Sequence, residues 1–188
     1  MNLCSRHGKL GKDYKEGIMY MSSHKSERLG LKPDDEAIIC KLYQQMIDGW
    51  NAGNGDAFAA PYTDDSDFIG FDGTHMKGCQ EIASFHQMLF DKFLKGSRLI
   101  GKIRGIRFVT TDVAMMIAVG GTIMAGQSDI EPERNSIHTI VAIKRDNNWY
   151  FTAFQNSRAQ YIGRPKESQA LTEELRQELS MASKRKTY

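Results

Sequence analysis

The apolar spacing of this chain changes once, near Leu99, and that change limits the fold more than any other feature. Before it, Ile38, Ile39, Leu42, Tyr43, Met46, Ile47 and Trp50 recur at helical spacing, and Ile82, Phe85, Met88, Leu89 and Phe93 do so again. After it, residues 99–109, 113–125, 137–144 and 149–156 are rich in β-branched and aromatic side chains, the composition of strands. Thr110-Thr111-Asp112 and Asp146-Asn147-Asn148 lie between strand segments, as short hairpin links need polar residues that tolerate positive φ. Helices first and an antiparallel meander after them predict an α+β cone, with the N-terminal helices packed on the concave face of a curved sheet. Gly101, Gly105, Gly120 and Gly121 interrupt the strands where bends or bulges are expected.

Residues 1–32 are polar and without a sustained period, and read as a flexible extension. Residues 33–164 carry nearly all the apolar patterning and form the expected domain. Its first helix opens at Pro33 with Asp34, Asp35 and Glu36 in the first turn, where free N–H groups favour negative charge. Asp56 is the expected cap of a short second helix. Residues 165–188 form a tail in which Leu171, Leu175 and Leu179 make a narrow amphipathic stripe, suited to docking on this domain or on a partner subunit. The tail ends in a basic run, Lys184-Arg185-Lys186, read as solvated.

Net charge is only +2 with acids and bases mixed, so no basic stripe points to nucleic acid. No run reaches the roughly 18–20 apolar residues that span a bilayer. The first thirty residues hold no apolar core of a secretory signal, so a cytoplasmic location is expected. Cys4, Cys40 and Cys79 fit neither a disulfide framework nor a zinc motif and read as reduced thiols.

Several short stretches carry a resemblance. Trp50-Asn51-Ala52-Gly53-Asn54 with Asp56, then Tyr62-Thr63-Asp64-Asp65 and Asp67-Phe68-Ile69, resemble a known helix-to-first-strand segment. Gly73, Gly78 and Glu81-Ile82 resemble the entry to a third helix. Arg107-Phe108, Asp112-Val113-Ala114, Trp149 and Phe154-Gln155-Asn156 resemble strand signatures of the same group. Together they resemble the SnoaL-like branch of the nuclear-transport-factor-2-like superfamily, in particular the SgcJ/EcaC-type proteins, over residues 34–158. The resemblance implies a cone-shaped pocket and a homodimer paired through the outer sheet face. That superfamily includes isomerases, cyclases, dehydratases and scaffolds, so the site has to be argued separately.

Proton shuttling at a steroid ketone needs a base carboxylate, a tyrosine and a neutral acid. Aligned on residues 51–53 and on the Trp149 strand, those positions fall at Met46, near Gly70 and near Thr139, which disfavours that chemistry. A shift of two would bring in Asp72. Other acid–base candidates are Asp67, His75 in the turn after Asp72, and His86, read as a half-exposed histidine near the pocket rim. His138 alternates with Thr139; if Thr139 faces the pocket, His138 faces the dimer interface. No metal motif, phosphate cradle or nucleophile elbow is present, so neither metal nor cofactor is expected.

What remains is an apolar pocket with sparse polar anchors. Parity puts Tyr150, Thr152, Phe154 and Asn156 on one face of the last strand, taken as the inner one. With Met46, Trp50, Tyr62, Phe68, Phe85, Met115, Ile117 and Thr139, Phe154 and Asn156 outline the expected ligand-binding set, Asn156 and Tyr62 supplying the polar groups. The functional expectation is a small-molecule-binding protein or a cofactor-free acid–base enzyme, with a polyketide-like or aromatic metabolite as ligand. The alternative is a non-catalytic dimerisation and interaction module.

Overall fold

The computed structural model of the chain describes residues 34–185. The expected extension over residues 1–32, with Cys4, and the end of the basic run at Lys186 lie outside the described residues.

Helix α1 spans Asp35–Asn51 and buries Ile39, Tyr43, Met46 and Ile47, while Ile38 stays 37% exposed, so its inward stripe is narrower than the apolar residues alone imply. It ends where Gly53 takes φ +62° and Asn54 N–H reaches back to the Gly49 carbonyl. The short helix α2, Gly55–Ala59, is capped by Asn54, whose side chain accepts from Ala57 N–H, and not by Asp56 as expected. Asn54 has the extended backbone that a cap needs, whereas Asp56 is already inside the helix. Helix α3, Gly78–Lys92, starts with the Glu81 carboxylate accepting from Lys77 N–H at 2.8 Å.

Six strands follow the order β2-β1-β6-β5-β4-β3, with β1 Tyr62–Ile69, β2 His75–Lys77, β3 Arg98–Phe108, β4 Val113–Ile123, β5 Ser136–Arg145 and β6 Asn148–Arg158. The sheet is curved and unclosed. All pairings are antiparallel except β1 with β6, which run parallel because α3 separates β1 from the meander. Register shifts between Ile103 and Gly105 and between Val141 and Ala142 bend it. The β5–β6 hairpin turns on Asp146 and Asn147 at φ 50° and 64°.

The inner face packs on α1–α3. Its alternation is plain on β4 and β5, where Ala114, Met116 and Ala118, and then Ser136, His138, Ile140 and Ala142, are buried. Gly101 and Gly120, paired across β3 and β4, keep this face low: a Cβ on Gly101 would lie 2.7 Å from Tyr43 Oη, and one on Gly120 would lie 2.7 Å from His138 Cε1. Gly120→Ala is therefore expected to destabilise by about 1–3 kcal/mol, the usual cost of overpacking, read as a lower urea midpoint.

The C-terminal helix α4, Pro165–Arg185, packs on the other face of the sheet. Leu171 and Leu175 bury against Val119, Ile123 and Ile130, with Leu179 beside them. Glu174 adds ion pairs to Lys102 and Arg104. Of the two docking modes open to the leucine stripe, this chain's own sheet takes it. No described helix is long and apolar enough to cross a membrane.

Candidate ligand-binding site

Between the helices and the inner sheet face lies a cavity of about 250 Å³. Its helical wall is apolar but for one histidine: Met46 and Trp50 come from α1, Phe58 from α2, and Phe85, His86 and Leu89 from α3. Trp50 is fixed by its indole N–H donating to Ser97 Oγ at 3.1 Å, and Phe90 meets it edge-on. Asn51 next to it clamps the start of β3, accepting from Leu99 N–H at 2.7 Å and donating to the Leu99 carbonyl at 3.1 Å. The sheet wall is mixed, with Phe68 and Phe154 stacked 4.3 Å apart beside Thr122, Ser136, His138, Asn156 and Arg158. Phe71 and Phe93, 52% and 66% exposed, mark the opening, together with Asp72, Thr74 and Arg134.

His86 is 4% exposed, so it is a wall residue and not the half-exposed rim histidine expected. It stacks on Phe58 at 4.1 Å, and burial depresses its pKa to about 4 against the opposing pull of its bond to Ile82. The Ile82 carbonyl can only accept, so Nδ1 carries the proton and Nε2 is left as an acceptor on the neutral ring.

His138 corrects the sequence reading. It lines the cavity, and Thr139 with Met115 and Ile117 lies on the outer face, away from it. Both faces of β4 and β5 carry enough apolar residues that alternation alone did not tell inside from outside. The ring bridges Tyr43 Oη at 3.1 Å and Ser136 Oγ at 2.9 Å, and Ser136 Oγ in turn lies 3.4 Å from the Gly120 carbonyl. A carbonyl accepts only, so the chain is assigned as Tyr43 O–H to Nδ1, Nε2–H to Ser136, and Ser136 O–H to Gly120. Burial holds this pKa near 4 as well.

On β6, Thr152 is an extra residue: Val141 pairs with Ala153 and Ala142 with Phe151. This bulge reverses the parity and puts Trp149 and Phe151 on the same buried face as Phe154, with Asn156 and Arg158 continuing it into the cavity. Tyr150 and Thr152 do not line the cavity.

Tyr62 does not line it either. It is 4% exposed, donates to Met46 Sδ at 3.1 Å, and sits among Phe58, Phe68, Phe151 and Phe154. Asp72 is at the opening, where an oxygen accepting from Thr74 N–H holds its carboxyl below the usual range. His75 is exposed and bonded to exposed Asp67 at 2.7 Å, outside the cavity. Of the expected set, Met46, Trp50, Phe68, Phe85, Phe154 and Asn156 come together around it, with Asp72 and His86. Thr122, Arg134, Ser136 and Arg158 were missed; Arg158 had a signal, two residues beyond Asn156 on one strand face.

Three helices roofing a curved, open sheet with a cavity between them define a nuclear-transport-factor-2-like, or cystatin-like, α+β domain. The chain belongs to the SnoaL-like domain family, whose model matches residues 39–161. It is similar to a domain of unknown function with a cystatin-like fold from Nostoc punctiforme PCC 73102, at 37% identity over 84% of this chain and 99% of that one, with a TM-score of 0.69. An uncharacterized Caulobacter vibrioides protein with a cystatin-like fold follows at 18% identity, covering 71% and 95% of the two chains, TM-score 0.61. Hexachlorocyclohexane dehydrochlorinase LinA-type3 of Novosphingobium barchaimii LL02 has the same fold at 17% identity, covering 66% and 86%, TM-score 0.56. No curated protein matches the sequence.

Proposed function

We propose that this domain binds a small, largely apolar molecule in the cavity, and that binding rather than proton transfer is its main work. The observation that carries this is the division of one cavity into an apolar helical wall and a sheet wall with a few polar groups, the usual composition of a ligand site. Acid–base catalysis has less support. Asp72 is held ionised by a backbone N–H, His75 lies outside, and His138 has both nitrogens engaged. His86 offers a free acceptor at Nε2, but a ring with a pKa near 4 is a weak base, and efficient bases titrate near the working pH. That the same fold carries a dehydrochlorinase keeps one enzymatic variant open, with His86 taking an already acidic proton.

Trp50 lines the cavity whereas the other tryptophan, Trp149, is fully buried in the core. Titration with small aromatic and aliphatic compounds is expected to change Trp50 fluorescence saturably, and Trp50→Phe to abolish the signal. A screen in which no compound gives a saturable change overturns the reading.

We further infer that the outer face of β4 and β5 beyond α4, with half-buried Met115, Ile117 and Val141, pairs with a second copy, and that the chain sits with the SgcJ/EcaC-type branch. Ile117→Lys places a charge in the middle of that face and is expected to halve the mass seen by sedimentation. A wild-type monomer at micromolar concentration would count against the pairing.

A further inference from the structure

The polar wall of the cavity is half finished. Asn156 and Arg158 stand two apart on β6, about 7 Å along the strand, with side chains on the same face. Their register partners on β5 are His138 and Ser136. That second pair satisfies itself through the chain from Tyr43 to Gly120, and the first pair does not. The Asn156 carboxamide makes no hydrogen bond among the described residues, and its Oδ1 is buried.

Arg158 donates once, from Nη1 to the Arg134 carbonyl at 2.8 Å, out of five N–H groups. Its guanidinium lies on Phe71, 3.6 Å from the ring centroid, and it forms no ion pair among the described residues. Glu131 and Asp72 attract it at longer range, but neither closes an ion pair with it. Arg134 is paired with Glu131, and Asp72 is turned to Thr74 N–H. Burial, and then repulsion from Arg134, lower the Arg158 pKa against the weaker attraction of Glu131 and Asp72, as expected of a cation without an anion in contact.

We propose, resting on the reading that this cavity binds a small molecule, that its ligand is a small hydroxy acid with an apolar body. The carboxylate meets the open edge of the Arg158 guanidinium, whose planar fork matches it. The hydroxyl meets Asn156; being both donor and acceptor, it suits the carboxamide in either orientation. The apolar body lies against Trp50, Phe85 and Leu89. A single negative charge fits better than a phosphate, because the Asp72 carboxylate shares the opening and repels a dianion more strongly.

Calorimetric titration of the full chain with mandelate, phenylacetate and phenylacetamide separates the parts. The acids are expected to bind about tenfold more tightly than the amide, the worth of one charged hydrogen bond, and mandelate more tightly than phenylacetate. Arg158→Met should remove the preference for acid over amide, and Arg158→Lys should keep part of it. Asn156→Leu should equalise the two acids. Asp72→Asn should tighten both acids and leave the amide unchanged. Equal binding of acid and amide, or an acid preference that survives Arg158→Met, overturns the proposal. If the amide binds and the acids do not, the cavity reading stands and the hydroxy-acid assignment fails; if no probe gives heat or alters Trp50 fluorescence, both fail.

Discussion

Acidification from pH 7 to pH 4.5 is expected to remove about 5 kcal/mol of folding stability through two histidines, most of it before the carboxylates titrate. His86 and His138 both have folded pKa values depressed to about 4 by burial, from 6.5 when unfolded. Between those values the unfolded chain takes up two protons that the folded chain refuses, so stability is full above pH 6.5 and falls as pH drops toward 4. Each histidine contributes roughly 2–3 kcal/mol over that range, since one pKa unit is worth about 1.4 kcal/mol. Against the 5–15 kcal/mol of an ordinary domain, the sum is enough to unfold a marginal one.

The acidic groups act later. Asp65, Asp72, Asp129 and Glu174 all have lowered pKa values, through Arg145, Thr74, Arg176 and Arg104 respectively, so their contributions are lost as the pH falls through the usual carboxylate range toward those lowered values. Those groups are mostly exposed, and their pairs are screened by solvent. Urea unfolding at pH 7, 6 and 5 reads the histidine contribution directly. His86→Leu should reduce the slope of stability against pH by about half, whatever it does to the absolute value at pH 7. A wild-type stability that stays flat from pH 7 to pH 5 would refute the buried, neutral state of both rings.

Those two histidines also show where the sequence stopped being readable. The helix-to-strand change near Leu99 and the polar turns gave the α+β class, because periods of 3.6 and 2 leave marks in composition that survive without any tertiary knowledge. The sense of each strand does not. On β5, Ile137, Thr139, Val141 and Ile143 alternate with Ser136, His138, Ile140 and Ala142, and neither set is clearly polar. The outer set stays half-buried and the inner set holds the cavity's serine and histidine, the reverse of what hydropathy favours.

On β6 one extra residue at Thr152 shifts the frame, and nothing in Tyr150-Phe151-Thr152-Ala153 announces it. Asn156 was found because it lies beyond the bulge, in phase with Phe154. Arg158 completes the same phase but reads as an ordinary surface cation at a strand end. Tyr62 illustrates a different limit: an aromatic with a polar tip can satisfy that tip on a buried methionine sulfur and never reach the cavity. Asp35 is the largest miss of all, since an acid in the first turn of a helix looks like a solvated partner of the dipole.

Asp35→Ala is expected to cost about 3–5 kcal/mol, the usual loss when one partner of a buried ion pair is removed. The carboxylate is 2% exposed. It accepts from Lys144 Nζ at 2.8 and 3.0 Å through its two oxygens and from the Trp149 indole N–H at 2.9 Å. Lys144 is itself largely covered and lies 5.5 Å from the Trp149 ring centroid. Removing the carboxylate leaves an ammonium and an indole N–H without their acceptor. Lys144→Met should cost a similar amount, because it leaves the buried carboxylate without its cation.

The double variant Asp35→Leu with Lys144→Met should recover most of either loss, leaving mainly the unpaired indole N–H, at about 1–3 kcal/mol. Thermal unfolding reads all three: at about 2–4 °C per kcal/mol for a chain of this size, each single change lowers the midpoint by roughly 6–20 °C. Losses that simply add in the double variant would mean that the two groups do not act as a pair. The triad ties the start of α1 to β5 and β6, and α1 carries Met46 and Trp50 while those strands carry His138 and Asn156. Its energy therefore bears on the cavity as well as on the fold. A chain that keeps its stability but loses the clamp would let the apolar wall slide against the polar one, and a ligand that must touch both at once would be the first to register it.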